Sequence, residues 1–254
     1  MPCLHYSNRL DRLIIPLAKE LEKRNPFDTV EIVVPNFSLE KWISLKLAQY
    51  KGIAANLSFI TLEKAIYQSL KNSLNNRNCE LLKQETIQCM LMDILRDKLV
   101  TVDPVWDPVR SYLSPVADIS PEAAEHRLFQ LSGRLSYLFK EYEYSRNEDL
   151  IAVWNEGRNA VDQQPLSTES WQRTLWSDLF AAEGKLALYN QNLNDLNKGD
   201  LQTELFTLPQ LYRICKDSQK NHVSDQFDPV SRPETNPLHI FGVSYLSRFH
   251  QNAL

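Results

Sequence analysis

The chain has 254 residues, 43% of them apolar and 24% charged, ordinary values for a globular protein long enough to bury a core of its own. It carries only 6 glycines against 13 prolines, and its formal charge is −4. Scarce glycine argues against chemistry built on Gly-rich phosphate loops, and the acidic balance argues against a general basic coat for nucleic acid, while a local groove stays open.

The start, Met1-Pro-Cys-Leu-His5, lacks the cationic and apolar regions of a signal peptide. No apolar run approaches the ~18 residues that a spanning helix needs, so the expected location is cytoplasmic. Cys3, Cys79, Cys89 and Cys215 stand far apart without a C-x-x-C pair, which suits reduced thiols rather than a disulfide set or a zinc site.

In chain order, Cys3–Tyr6 reads as a short first strand, with Ser7 or Asn8 placed to cap the helix that follows. Leu10, Leu13, Ile14, Leu17 and Leu21 recur at helical spacing, and Pro16 should kink that helix or delay its start. Val30–Val34 is a β-branched run suited to a buried parallel strand. Pro35-Asn-Phe-Ser38 turns the chain, Ser38 is placed to cap a second helix, and Gly52 suits its C-terminal stop.

From about Thr61 to Lys216 helical periods dominate. Ile87, Met90, Leu91, Ile94 and Leu95 form one face. Ser120-Pro121-Glu122 combines a cap, a first-position proline and an acid facing the helix dipole. Leu128, Leu131, Leu135, Leu138, Phe139 and Tyr142 make the stripe that follows. Asn147–Gly157 reads as a short capped helix, and a longer one starts near Ser167, burying Trp171, Leu175, Leu179 and Phe180. Residues 216–236 are polar and rich in Asp, Ser and Pro, as expected of a flexible connector. Leu238–Val243 returns to strand character, and Tyr245–Leu254 begins a helix that stops without a cap, as a cut chain would.

These elements predict an α/β domain from residues 1–60 and 237–254, with Cys3–Tyr6, Val30–Val34 and Leu238–Val243 as parallel neighbours. Residues 61–215 form a large all-α insertion.

The chemistry-bearing motifs are missing. Tyr6-Ser-Asn-Arg-Leu-Asp11 stands where G-x-x-x-x-G-K-[ST] would cradle phosphates. Leu238–Val243 is followed by no Asp or Glu that could hold magnesium, and Gly242-Val-Ser244 does not continue into a nucleophile elbow. His5, His126, His222, His239 and His250 show no zinc-ligand spacing. Acid pairs such as Glu141 with Glu143, or Glu148 with Asp149, read as solvated faces. No self-contained catalytic site, metal site or cofactor is expected in this chain.

Four stretches carry a resemblance. They are His5-Tyr-Ser-Asn-Arg-Leu-Asp11; Val33-Val-Pro-Asn-Phe-Ser-Leu-Glu-Lys-Trp42 with Gly52-Ile-Ala-Ala-Asn56; Leu128-Phe-Gln-Leu-Ser132 with Leu138-Phe139, Tyr142 to Arg146 and Trp154; and Trp171-Gln with Leu175-Trp176, followed by Ile240-Phe-Gly-Val-Ser-Tyr-Leu246. In this order the chain resembles the N-terminal part of the RecC family, the gamma subunits of exodeoxyribonuclease V. The resemblance implies a helicase-like, P-loop-type but degenerate parallel sheet domain, interrupted by the helical insertion. It implies a much longer full protein that guides and scans DNA strands beside RecB-like and RecD-like subunits, which would use ATP and magnesium. It also implies DNA contacts at Asn36, Phe37, Ser38 and Lys41 after the second strand, at Tyr67, and at Tyr137, Lys140 and Arg146 in the insertion. Arg146 matches the family's residue type, whereas Lys140, Pro35 and Phe37 depart from it. Three of these contacts also have an ordinary reading: Ser38 as a helix cap, Phe37 as a packing residue, Tyr67 as a core tyrosine. A rival from another class is a protein–protein scaffold that holds the motor subunit without touching DNA.

Overall fold

The computed structural model describes residues 3–25, 27–74, 78–114, 120–164, 166–196, 203–221 and 238–254. In chain order the elements are α1 (Leu10–Glu22), β1 (Val30–Val33), α2 (Phe37–Lys51), β2 (Leu57–Ile60), α3 (Leu62–Ser73), β3 (Asn78–Leu81), α4 (Gln84–Val100), α5 (Asp107–Leu113) and α6 (Pro121–Ser145). They continue as α7 (Ala152–Asn155), α8 (Thr168–Phe180), α9 (Lys185–Leu196), β4 (Thr203–Phe206), α10 (Leu208–Asn221), β5 (His239–Ile240) and α11 (Arg248–Ala253). The protein is therefore mixed α/β, mostly helical. No helix among the described residues is long and apolar enough to cross a membrane.

Two compact units emerge, Met1–Ser73 with Asp217–Leu246, and Leu74–Lys216 with Ser247–Leu254. The first is built on a parallel sheet of order β2-β1-β5, with Val30 opposite Leu57 and Ile32 opposite His239. β1 is central, and Ile32 and Val33 are fully buried. Ile14, Leu17 and Ala18 of α1 and Ile43 and Leu47 of α2 pack with Val30, Ile32 and Phe241, while Ala65 of α3 packs with Val33 and Ile60. That last contact ties α3 to the sheet and carries this unit to Ser73, beyond the expected boundary at residue 60.

Several expectations need correction here. Cys3–Tyr6 is no strand: β2 and β5 occupy both flanks of β1, and Leu4 and Tyr6 are exposed. The expected strand Leu238–Val243 shrinks to His239–Ile240, extended by the Phe241 N–H bond to the Val33 carbonyl at 2.9 Å. Gly242 ends it with φ +71°, a conformation that L side chains rarely adopt. Neither Ser7 nor Asn8 caps α1; Ser7 Oγ accepts the Arg9 N–H at 3.1 Å, and no side-chain cap bond is made at the helix start. Pro16 lies inside α1 without delaying it. Gly52 does end α2, at φ +81°.

The second unit is a helical assembly around one core. Ile87, Met90, Leu91, Ile94 and Leu95 of α4 meet Leu128, Leu135 and Phe139 of α6 and Trp171, Leu175 and Leu179 of α8. Ser120 caps α6 by accepting the Ala123 N–H, and Ser167 caps α8 by accepting the Ser170 N–H. The short helix expected at Asn147–Gly157 is a π-helical turn, Asn147–Ile151, running into α7, with Gly157 at φ +75°. The unit is not all-α, because β3 and β4 form a two-stranded parallel sheet pairing Asn78 with Thr203 and Leu81 with Phe206. Phe249 of α11 stacks edge-on against Tyr144 at 5.0 Å, which places the last residues in this unit rather than with the α/β residues. α10 runs through residues 216–221 of the expected connector, and residues 222–236 lie outside the described residues. None of the four cysteines is in a disulfide, and Cys79 and Cys215 are buried.

Candidate functional site

Because β1 and β2 run parallel, the helices that follow them both start at the carboxyl edge of the sheet. The chain leaving β5 emerges at the same edge. In open parallel sheets that edge is where ligands bind, since loops and helix N-termini converge there.

Asn36, not Ser38, caps α2: its side-chain oxygen accepts the Leu39 N–H at 2.9 Å. Ser38 already lies within the helix. Phe37 is the first helical residue and, rather than packing, stands 64% exposed. Lys41, four residues on, places its Nζ 4.7 Å from the centre of the Phe37 ring, a cation–π pair on an exposed helix start. Asn36, Phe37, Ser38 and Lys41 are thus brought together, all exposed.

Tyr67 repeats the pattern on α3. It is half-buried, and Lys71 Nζ lies 5.7 Å from its ring centre. Thr61 Oγ1 accepts the Lys64 N–H at 3.3 Å at the start of this helix. Lys71 and the 75% exposed Tyr245 beyond β5 were not among the site residues inferred from sequence. Lys71 was legible: an aromatic residue with lysine four places later marks both helices. Tyr245 carries no comparable spacing signal.

The remaining candidates belong to the helical unit. Tyr137 is 57% exposed on α6, and Lys140, about one turn further, lies 5.4 Å over the Tyr144 ring. Arg146 sits just past the end of α6 and forms an ion pair with Asp149, at 3.2 and 3.1 Å from Nε and Nη2. Burial works to raise the Asp149 carboxyl, and Arg146 together with the Asp149 and Leu150 backbone N–H groups outweighs it, holding that group below the usual carboxylate range. The structure therefore brings Tyr137 and Lys140 near one another and commits Arg146 to a local acid.

One acid departs from its expected solvated face. Glu143 is 1% exposed, between the exposed Glu141 and the buried Tyr144. Burial pushes its carboxyl up to about 7, against the pull of Thr207 and Arg213. Among the described residues, no group of three or more His, Cys, Asp or Glu side chains could hold a metal ion.

The comparisons with known proteins agree on one family. Residues 3–254 match the family described as RecC, N-terminal domain. The chain is 28% identical to the RecBCD enzyme subunit RecC of Haemophilus influenzae over 218 residues, covering 75% of this chain and 19% of that protein. It is also 28% identical to the RecBCD enzyme subunit RecC of Escherichia coli over 180 residues, covering 69% of this chain and 15% of that protein. The chain thus spans less than a fifth of the length of the curated relatives it matches. With the family model matching nearly the whole chain, the protein belongs to the RecC family, and what is described here is its N-terminal domain.

Proposed function

We propose that this chain is the helicase-like, non-catalytic front of a RecBCD-type gamma subunit, guiding and scanning DNA strands during double-strand-break repair and recombination. In this reading its sheet is a P-loop-type domain whose phosphate-binding turn has degenerated. ATP and magnesium are then used by RecB-like and RecD-like partners. Family membership supports the reading in general. The observation that carries it is the exposed start of α2, where Phe37 offers a ring face and Lys41 a charge beside the helix N-terminus. Stacking surfaces combined with cations track single strands without demanding a sequence, and a helix N-terminus favours phosphate.

The test uses the assembled complex of the full-length subunit with its partners. DNA-end affinity is compared for wild type, Phe37→Ala, Lys41→Ala, Lys140→Ala and Arg146→Ala. Phe37→Ala and Lys41→Ala should each weaken binding, by about 1–3 kcal/mol for the ring if a base stacks on it. Arg146→Ala should cost less, because Asp149 already occupies that guanidinium. If every variant binds as wild type while the complex stays assembled, the DNA groove lies elsewhere and the scaffold reading replaces this one.

A further inference from the structure

The helical unit contains a cleft that strand guidance does not use. It measures about 350 Å³, within the range of small-molecule sites. Its apolar wall includes Trp176, Phe180, Leu186, Phe206 and Ile214. Trp154, Trp176 and Phe180 form a run of neighbouring rings, with centroids 6.3 and 5.7 Å apart, so a planar group entering the cleft would meet an existing aromatic series.

The polar groups at this cleft are mostly donors. Trp176 is 3% exposed, and its buried indole N–H has no hydrogen-bond acceptor among the described residues. Gln210 spends its carbonyl on the Thr207 N–H at 3.0 Å, which leaves its amide N–H groups as the contribution to the cleft. Asn190 is already satisfied, exchanging bonds of 3.1 and 3.0 Å with the Leu205 backbone. Arg213 supplies the charge. Its guanidinium stands 3.8 Å from Glu143 Oε1, too far for a hydrogen bond, and that oxygen has no hydrogen-bond partner among the described residues. With the Glu143 carboxyl pushed up to about 7 by burial, this counter-charge is only partly present at neutral pH.

We propose that the cleft binds a small apolar monoanion, an aromatic carboxylate in its simplest form. The aromatic body lies among Trp176, Phe180 and Phe206, and the carboxylate is held by Arg213. The guanidinium gains the closer anion that Glu143 does not provide.

The probe is 2-naphthoate, titrated calorimetrically into the 254-residue chain, with 2-naphthylmethylamine as the cationic counterpart of similar shape. One saturable site is expected for the carboxylate and none for the amine. Arg213→Gln should weaken 2-naphthoate about tenfold, the loss expected for one charge-assisted hydrogen bond. Ala187→Phe, which fills the cleft from a half-buried position on α9, should abolish binding. Both variants are checked for an unchanged melting temperature, and Arg213→Gln alone decides the matter if Ala187→Phe melts early. No saturable heat with 2-naphthoate, equal binding of the amine, or undiminished binding by Arg213→Gln overturns the proposal.

Discussion

Glu143 occupies a face of α6 that helical periodicity assigns to the core, since it lies four residues beyond the fully buried Phe139 and eight beyond Leu135. A carboxylate there loses hydration that a single arginine at 3.8 Å and Thr207 do not fully replace. The folded chain therefore keeps a proton between the ordinary value of 4.5 and about 7, where the unfolded chain has released it. Stability must fall as pH rises across that window and level off above it, by on the order of 3 kcal/mol in total. His239 works in the opposite sense: burial, aided by Arg24, lowers its pKa against Glu20, so its contribution is lost as pH falls. Comparing Glu143→Gln with wild type cancels that shared term. The variant should melt close to wild type at pH 5 and increasingly above it towards pH 8. Parallel melting curves across pH 5–8 would show that Glu143 is ionised and compensated in the fold.

At the scale of elements, α2 shows how the position of a cap sets which side chains a helix start presents. The sequence reading places the cap at Ser38, whereas the backbone places it at Asn36, with φ −159° and ψ 162°. Asn36→Ala should cost about 1 kcal/mol of unfolding free energy measured by chemical denaturation, while Ser38→Ala should be near neutral. The reverse ranking would move the helix start by two residues and bury the Phe37–Lys41 arrangement in a different turn. The same scale explains what was legible. The stripes of α4, α6 and α8, the Ser120 cap, the helix start near Ser167 and the Gly52 stop were all readable, because each depends on neighbours within a few residues. β2 was missed because Leu57-Ser-Phe-Ile60 is only four residues long, and its identity depends on β1 lying beside it. Its borders did carry a signal: Asn56 adopts φ +54° before it, and Thr61 starts the next helix after it. β3 and β4 were still less visible, since Asn78-Cys-Glu-Leu81 and Thr203-Glu-Leu-Phe206 pair across 125 residues, from Asn78 to Thr203. Of the candidate site, the helix-borne pairs were within reach of spacing, but the commitment of Arg146 to Asp149 and the exposure of Phe37 emerged only with the fold.

For the whole molecule, the controlling quantity is how few cations remain available to phosphate. The chain carries 28 Lys and Arg against 32 Asp and Glu, so no general field draws DNA to it. Many of the cations are also spoken for: Arg9 with Asp11, Lys23 with Glu20, Arg96 with Glu125, Lys98 with Asp178 and Arg146 with Asp149. Lys41 and Lys71 instead sit over aromatic rings, next to a stacking surface. If Lys41 and Lys71 account for the phosphate contacts, the slope of log affinity against log salt for a single strand should be about −1.4, because each neutralised phosphate contributes about −0.7. Anisotropy of a labelled oligothymidylate, titrated with the isolated chain across a salt series, measures that slope directly. Lys41→Ala should make it shallower by about 0.7, whereas Arg146→Ala should leave it unchanged. A steep wild-type slope would mean that cations outside these helix pairs dominate, and a loss of slope in Arg146→Ala would mean that DNA displaces Asp149 from its partner.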